Sequence, residues 1–344
     1  MSSALYRHRR KQIPALPLTR SDVDLNGVWT ETADGRPFLL TAGGDADKIL
    51  IFFTDQQLRA LQSADTIYMD GTFSSCPDLW DHVYILHARS GSTTYALVYV
   101  LLPDRQIATY CRLFSQLKTT VQIRLNLTLD PATVQTDVEL AAIRPVVREF
   151  PNAEVKGCYF HYCQALWRKV QNLGLAVQYK EDPPVQQWIR RAARLALLPL
   201  NEVQDAWIEA MDSTPNVPRA QEFNDYMIVN WIDYDARFPL PLWNHHETNG
   251  PRTNNNLEGF HNRLNKAMPH YQPNIYRFVD IIKKIEFADR AKISQIDFGA
   301  APPSRKRVYR EMENRPVRLN DQLQQRVKTP LQFLDAVGFL LKLA

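Results

Sequence analysis

The fold is decided by the stretch Thr66-Ile67-Tyr68-Met69-Asp70-Gly71-Thr72-Phe73, in which apolar and polar residues alternate. Such alternation is typical of a β-strand with one buried face. Val83 to Ala88 and the nearly continuous apolar run Tyr95 to Leu102 predict two further strands. We therefore expect three consecutive strands at the start of a sheet.

The sequence after these strands predicts alternating helices and strands. A helical spacing of apolar residues runs from Ile107 to Leu117, and Ala132 to Thr136 is predicted as a short strand. A helix follows from Leu140, Val155 to Phe160 is predicted as a strand, and another helix is expected from Ala165. The order βββαβαβα predicts an α/β domain with a mixed sheet and flanking helices.

The length of 344 residues suggests about two domains, or one large domain with an insertion. We expect an N-terminal appendage over residues 1–60, which contains a strand at Ile49 to Phe53. The strand signal fades between about 175 and 249, where helices are expected at Trp188 to Leu198 and Val203 to Met211. We therefore predict a domain over residues 61–300 that a helical insertion interrupts, and a basic helical tail over residues 301–344.

The composition is that of a globular protein, with 45% hydrophobic and 23% charged residues. Its longest apolar run, Tyr95 to Leu102, is shorter than the roughly 18 residues of a membrane helix, so no membrane partner is expected. Pro14 and Pro17 interrupt the apolar stretch near the N-terminus, which argues against a secretory signal. Four cysteines in a chain of this length do not suggest a disulfide framework. These features predict an intracellular protein.

Three acidic residues stand where sheet edges and a packed helix can meet. Asp70 lies in the first predicted strand, Asp137 follows the fourth, and Glu258 lies in a predicted amphipathic helix. Each has a simpler explanation: Asp70-Gly71 can form a hairpin turn, Asp137 can cap a helix, and Glu258 can be an ordinary solvated side chain. If they meet, their oxygens suit divalent cations. Two such ions about 4 Å apart support phosphoryl transfer.

Four sequence blocks together resemble the signature of Mutator-like (MULE) transposases. They are Tyr68-Met69-Asp70-Gly71-Thr72-Phe73, Gln135-Thr136-Asp137-Val138-Glu139, Cys158-Tyr159-Phe160-His161 and Thr253-Asn254-Asn255-Asn256-Leu257-Glu258-Gly259-Phe260-His261. The resemblance covers roughly residues 48 to 295. It implies an RNase H-like fold with a mixed five-stranded sheet, flanking helices and a helical insertion before the final glutamate.

The resemblance also implies an activity, which is DNA cleavage at terminal inverted repeats followed by strand transfer into target DNA. Asp70, Asp137 and Glu258 would form the catalytic DDE triad and bind two Mg²⁺ or Mn²⁺ ions, with Asp70 between them. The implied protein is nuclear and acts on DNA as a homodimer.

Cys158 and His161 match a further part of the family pattern. A zinc site usually needs four ligands, and Cys163, His245 and His246 are the nearest candidates in the sequence. The alternatives are a buried cysteine beside a hydrogen-bonded histidine, or a role in orienting DNA or a carboxylate.

The basic residues Arg252, Arg263 and Lys266 flank Glu258, and we expect them either to contact DNA phosphates or to form a solvated face. Two terminal basic clusters lie at residues 7–11 and 305–310, where solvation or nuclear import is the simpler role.

Before His82 the chain has only His8 and Cys76 as potential zinc ligands. The N-terminal zinc-binding module common in related eukaryotic proteins is therefore not expected here. This favours an alternative function, a domesticated and catalytically silent DNA-binding or regulatory protein. A general RNase H-like nuclease is a third hypothesis for the function.

Overall fold

A computed structural model describes residues 14–44, 47–90, 93–248, 255–268, 270–297 and 318–337. The chain divides into two compact units. The first contains Met1–Val155 and Asn255–Pro302, and the second contains Lys156–Asn254 and Pro303–Ala344. The chain therefore leaves the first unit after Val155 and returns to it at Asn255.

A mixed sheet of seven strands forms the centre of the first unit, in the order β1-β2-β5-β4-β3-β6-β7. The strands are β1 (Leu39–Ala42), β2 (Ile49–Phe52), β3 (Thr66–Thr72), β4 (His82–Ser90), β5 (Thr93–Leu102), β6 (Thr133–Thr136) and β7 (Glu154–Gly157). β3, β4 and β5 pair antiparallel, whereas β3 and β6 pair in parallel. The predicted mixed α/β architecture and its three opening strands are confirmed.

The prediction of a five-stranded sheet is wrong, because residues before 60 supply two more strands. β1 and β2 form an antiparallel hairpin, and Leu50 of β2 pairs with Leu101 of β5. Gly43 opens the connection of this hairpin with a φ of 86°, a left-handed conformation that favours glycine. Leu50 and Phe52 are buried, so this segment belongs to the core of the unit.

Twelve labelled helices accompany the strands within the described residues. They are α1 (Asp55–Gln62), α2 (Ile107–Leu125), α3 (Leu140–Glu149), α4 (Tyr159–Asn172), α5 (Ala176–Glu181), α6 (Pro183–Arg194), α7 (Val203–Asp212), α8 (Ala220–Met227), α9 (Leu240–Trp243), α10 (Asn255–Ala267), α11 (Ile275–Asp297) and α12 (Pro330–Val337). Residues 318–324 are also helical.

The two faces of the sheet have separate helical covers. Helices α1, α2 and α3 bury apolar side chains together with Met69 and Leu86. Helices α10 and α11 pack on the opposite face with Val83 and Ile85. Because side chains alternate along a strand, Asp70 shares the face of its register partner Ile85 and points toward the α10 side.

The second unit is helical in its described part, as predicted for residues 175–249. Its core contains four fully buried tryptophans, namely Trp188, Trp207, Trp231 and Trp243. Helix α12 is held to α6 by an ion pair between Arg191 and Asp335 at 2.8 Å, and by a 3.0 Å bond from Arg194 to the Leu334 carbonyl. Residues 301–317 and 338–344 of the predicted basic tail lie outside the described residues.

The predicted strand Val155 to Phe160 is wrong in its second half. β7 ends at Gly157, and α4 begins at Tyr159. This segment is helical because Tyr159, Tyr162 and Leu166 recur at helical spacing and are all buried.

Within the described residues, none of the helices has the length and apolar character needed to cross a membrane.

Candidate active site

Asp70 and Asp137 lie side by side because of the register between two parallel strands. β3 pairs with β6 through Thr66 with Thr133 and Tyr68 with Gln135, an offset of 67 residues. Asp137 follows Asp70 by the same offset, one residue beyond the end of β6. The carboxyl ends of parallel strands meet at one edge of a sheet, and there the two carboxyl groups are hydrogen-bonded to each other.

Asp70 is part of a continuous strand rather than a turn. β3 runs through Gly71 to Thr72, and Thr72 still pairs with Val83. The side chain of Asp70 is buried, and the Gly71 backbone N–H donates to its Oδ1 at 2.9 Å. The hairpin-turn alternative is therefore wrong.

Asp137 does not cap a helix. Helix α3 begins at Leu140, and its N-cap position is Glu139, which makes no side-chain capping bond. The carboxyl group of Asp137 faces Asp70 and also accepts a hydrogen bond from the Gly71 N–H. The N-cap alternative is therefore wrong, and one backbone amide serves both carboxyl groups.

The surroundings of the paired carboxyl groups favour their protonated form. Burial raises the pKa of Asp70 to about 6, with smaller contributions from the charges of Glu258 and Glu139. Burial also raises the pKa of Asp137 well above its ordinary value, and the Asp70 charge adds to this effect. Two close carboxylates resist joint ionisation. The pair therefore keeps a shared proton at pH values where isolated aspartates have lost theirs.

Glu258 lies in the first turn of α10, near the paired aspartates. Leu257, Phe260 and Leu264 of the helix are buried, as is Met268 just after its end, and this is the apolar spacing predicted from the sequence. The Phe260 ring lies 5.2 Å from the ring of His87 on β4, which fixes the helix against the sheet. Glu258 is half-buried, and burial raises the pKa of its carboxyl group. Its charge also raises the pKa of Asp70.

His261 is a further residue of this site that the sequence reasoning did not assign. It lies one helical turn after Glu258, and its Nδ1 is 3.7 Å from Oδ2 of Asp70. The signal that identifies it is the spacing of three residues, which puts two side chains on one helix face. Behind it, burial keeps the pKa of His87 well below its ordinary value.

The donor set fits a divalent cation such as Mg²⁺ or Mn²⁺. Asp70, Asp137 and Glu258 offer only oxygen atoms, the ligands these hard ions prefer. The pKa values of Asp70 and Asp137 are raised chiefly by burial and further by neighbouring carboxylate charges, and a bound cation would favour the ionised form against both effects. The carboxyl groups thus have the chemistry of a metal site.

The family match coincides with this geometry. Residues 66–165 match the family model of the MULE transposase domain. The match begins at the first residue of β3, includes Asp70 and Asp137, and ends within α4, before Glu258. No curated protein matches the chain significantly. The sequence is thus similar to the MULE transposase domain over the segment that carries the paired aspartates.

The MULE match also includes Cys158 and His161, which lie in the second unit. Cys158 is fully buried at the start of α4. Burial lowers the pKa of His161 to about 4, with a contribution from Arg168. No group of three potential ligands that includes a cysteine occurs among the residues the structure describes. Zinc binding stays a prediction for which these residues supply no complete ligand set.

The other predicted zinc partners have different contacts. His245 uses both ring nitrogens, with Thr248 Oγ1 at 3.0 Å and the Gly157 carbonyl at 2.7 Å. His246 Nδ1 contacts the Leu197 carbonyl at 3.1 Å. The Cys163 thiol is hydrogen-bonded to Tyr159, and burial raises its pKa to about 12. A protonated thiol is a poor metal ligand.

The predicted phosphate-binding residues differ in their surroundings. Arg263 pairs with Asp289 of α11 at 2.6 Å, whereas Lys266 is exposed at the end of α10. Arg252 and the two terminal basic clusters lie outside the described residues. DNA binding by Arg263 and Lys266 stays a prediction.

Proposed function

We propose that this protein is a DNA transposase that cleaves at terminal inverted repeats and transfers the freed 3′ end to target DNA. The observation that carries the proposal is the buried pair of Asp70 and Asp137 inside the MULE match, with Glu258 close enough for its charge to raise the pKa of Asp70. Metal-dependent phosphoryl transfer needs such a set of carboxylates.

In this proposal, Asp70, Asp137 and Glu258 would hold Mg²⁺ or Mn²⁺. The bound ions would stabilise charge on the attacking and leaving oxygens of an in-line displacement. The Asp70–Asp137 pair would have to lose its shared proton to hold a cation with both carboxylates, so proton release would accompany metal binding. The Gly71 N–H keeps both carboxyl groups oriented during this exchange. His261 keeps Asp70 in position from the helix side.

The proposed fold is an RNase H-like core extended by a hairpin. The core comprises β3 to β7 with α2 and α3, and β1 and β2 lengthen the sheet beyond β5. The second unit corresponds to the helical insertion, since it interrupts the chain between Asp137 and Glu258. A nuclear location and a homodimer that pairs two DNA ends belong to the same proposal.

The deciding experiment measures cleavage and strand transfer on labelled DNA that carries candidate terminal repeats, with Mg²⁺ or Mn²⁺. We expect Glu258→Gln to abolish both reactions while circular dichroism and the melting temperature stay close to those of the wild type. Glu209→Gln is the matched control because Glu209 is exposed in the second unit. Equal activity of Glu258→Gln and wild type would refute the proposal.

Two other results would select the alternative functions. DNA binding without cleavage in either metal would favour a domesticated, catalytically silent DNA-binding protein. Metal-dependent cleavage without joining of a 3′ end would favour a general RNase H-like nuclease.

A further inference from the structure

An exposed aromatic ring stands at the edge of the carboxylate site. Phe73 follows Asp70 by three residues, just beyond the end of β3, and 47% of its surface is exposed. β3 itself is largely buried. A large apolar side chain at this place is left partly in water, which costs free energy that a bound ligand would recover.

Arg105 lies over this ring and is held there. Its guanidinium carbon is 4.9 Å from the centre of the Phe73 ring. Asp81 fixes the guanidinium through Nε at 2.9 Å and Nη2 at 3.4 Å. Asp81 also bonds Nδ1 of the buried His82, whose Nε2 contacts the Tyr110 hydroxyl at 3.1 Å. The pair is therefore preorganised by a chain of hydrogen bonds.

Phe73 and Arg105 line the same cavity as Asp137. The residues that line this small cavity include Phe73, Arg105, Asp137 and Glu139. The carboxylates of this cavity repel the phosphates of a nucleic acid. The guanidinium of Arg105 beside them would offset that repulsion. Aromatic rings and arginine planes stack on nucleobases, and the arginine also attracts the backbone charge.

We propose that Phe73 and Arg105 form a nucleobase-stacking subsite that holds an unpaired DNA nucleotide beside the Asp70–Asp137 carboxyl pair. The inference rests on the proposed function for its biological meaning. It is tested by binding alone, which requires no cleavage.

The test uses the full chain carrying Glu258→Gln and a single-stranded DNA oligonucleotide of about 12 nucleotides with one central 2-aminopurine. Stacking quenches the fluorescence of this base. We expect quenching with Phe73, its retention in Phe73→Trp, and its loss in Phe73→Leu, which keeps apolar volume without a ring. The dissociation constant should rise about 5- to 100-fold in Phe73→Leu and in Arg105→Ala.

Phe287 provides a matched control. It is 53% exposed on α11, and Arg290 lies over its ring at 5.3 Å. Phe287→Leu should leave both quenching and affinity unchanged. Equal quenching and affinity in Phe73→Leu, Phe73→Trp and the parent would overturn the subsite, as would the absence of any DNA binding. Tighter binding of RNA of the same sequence would overturn the assignment to DNA.

The two proposals fail in different ways. If the wild type cleaves no DNA but quenching depends on Phe73, the transposase proposal fails and the subsite stands. If the wild type cleaves and Phe73→Leu cleaves and binds equally well, only the subsite fails.

Discussion

The side-chain oxygen of Asn265 accepts a 2.8 Å hydrogen bond from the Ser74 hydroxyl, and a second bond from Ser75. These bonds tie α10, which carries Glu258, to the chain that leaves β3, which carries Asp70. Asn265→Ala removes the shared acceptor and leaves the buried Ser75 hydroxyl without it. We expect the free energy of unfolding to fall by about 1–3 kcal/mol in urea titrations.

Under the proposed function, the same substitution should slow metal-dependent cleavage about tenfold or more, because a small displacement of Glu258 would misalign the site. Asn262→Ala is the matched control, since Asn262 is exposed on the same helix. Equal stability and equal rates in the two variants would contradict this role for Asn265.

Asp70→Asn should stabilise the metal-free protein above neutral pH. Burial raises the folded pKa of Asp70 from 3.8 to about 6. The folded protein therefore binds this proton more tightly than the unfolded chain, and stability falls as the pH rises through this window. The amide carries no charge, so at pH 7.5 we expect a gain of about 1–3 kcal/mol in EDTA, and little gain at pH 4.

The measured quantity is the difference in the free energy of unfolding between Asp70→Asn and the wild type at each pH. This choice matters because buried His87, whose pKa is lowered by burial, gives the opposite slope. Asp78→Asn at an exposed position is the control. A loss of stability in Asp70→Asn at pH 7.5 would argue against a strained carboxyl pair.

Arg263→Gln should act first on stability. It removes the 2.6 Å ion pair to Asp289, whose side chain is only 9% exposed and would be left with the more distant Lys292, at 3.8 Å. We expect a loss of about 1–2 kcal/mol, whereas Lys266→Gln should change stability by less than about 0.5 kcal/mol. Measuring DNA affinity at several salt concentrations separates a structural role of Arg263 from a role in binding phosphate. An unchanged melting temperature with a reduced salt slope in Arg263→Gln would mean that the residue serves DNA rather than α11.

Asp335→Ala should loosen α12 in the second unit. Asp335 accepts two bonds from Arg191, at 2.9 and 2.8 Å, and Arg191 is largely buried. We expect a loss of about 1–3 kcal/mol and faster proteolysis between residues 325 and 337. Asp321→Ala, at an exposed position, is the control. Equal proteolysis of both variants would show that apolar packing and the bond from Arg194 to the Leu334 carbonyl are enough to hold α12.

Cys158→Ser tests the zinc hypothesis. The described residues offer no complete ligand set around Cys158, so we expect equal zinc content in wild type and variant by mass spectrometry of the metal. Stability should fall by about 1 kcal/mol, because serine buries a more polar group. Stoichiometric zinc that disappears in the variant would establish a site.

Much of the sheet could be predicted because β3 and β5 have strong local patterns. β1 could not be predicted from the sequence, because Leu39 and Leu40 are only half-buried and its partner β2 lies beyond the Gly43-Gly44 turn. Asp70 and Asp137 were identifiable as strand-end acids. Their adjacency depends on the β3–β6 register, which no local pattern encodes. His261 lies in the fourth MULE-like block and three residues after Glu258, but its place beside Asp70 depends on how α10 packs on the sheet.

The return of the chain at Asn255 has a consequence for synthesis on the ribosome. Chains emerge from the N-terminus at about 5–20 residues per second, and domains fold as they appear. Asp70 and Asp137 come from the first stretch, whereas Glu258 follows the whole of Lys156–Asn254. A nascent or truncated chain can thus form the aspartate pair without its third acid. Under the proposed function, the capacity to cut DNA would arise only when translation is well past the second unit.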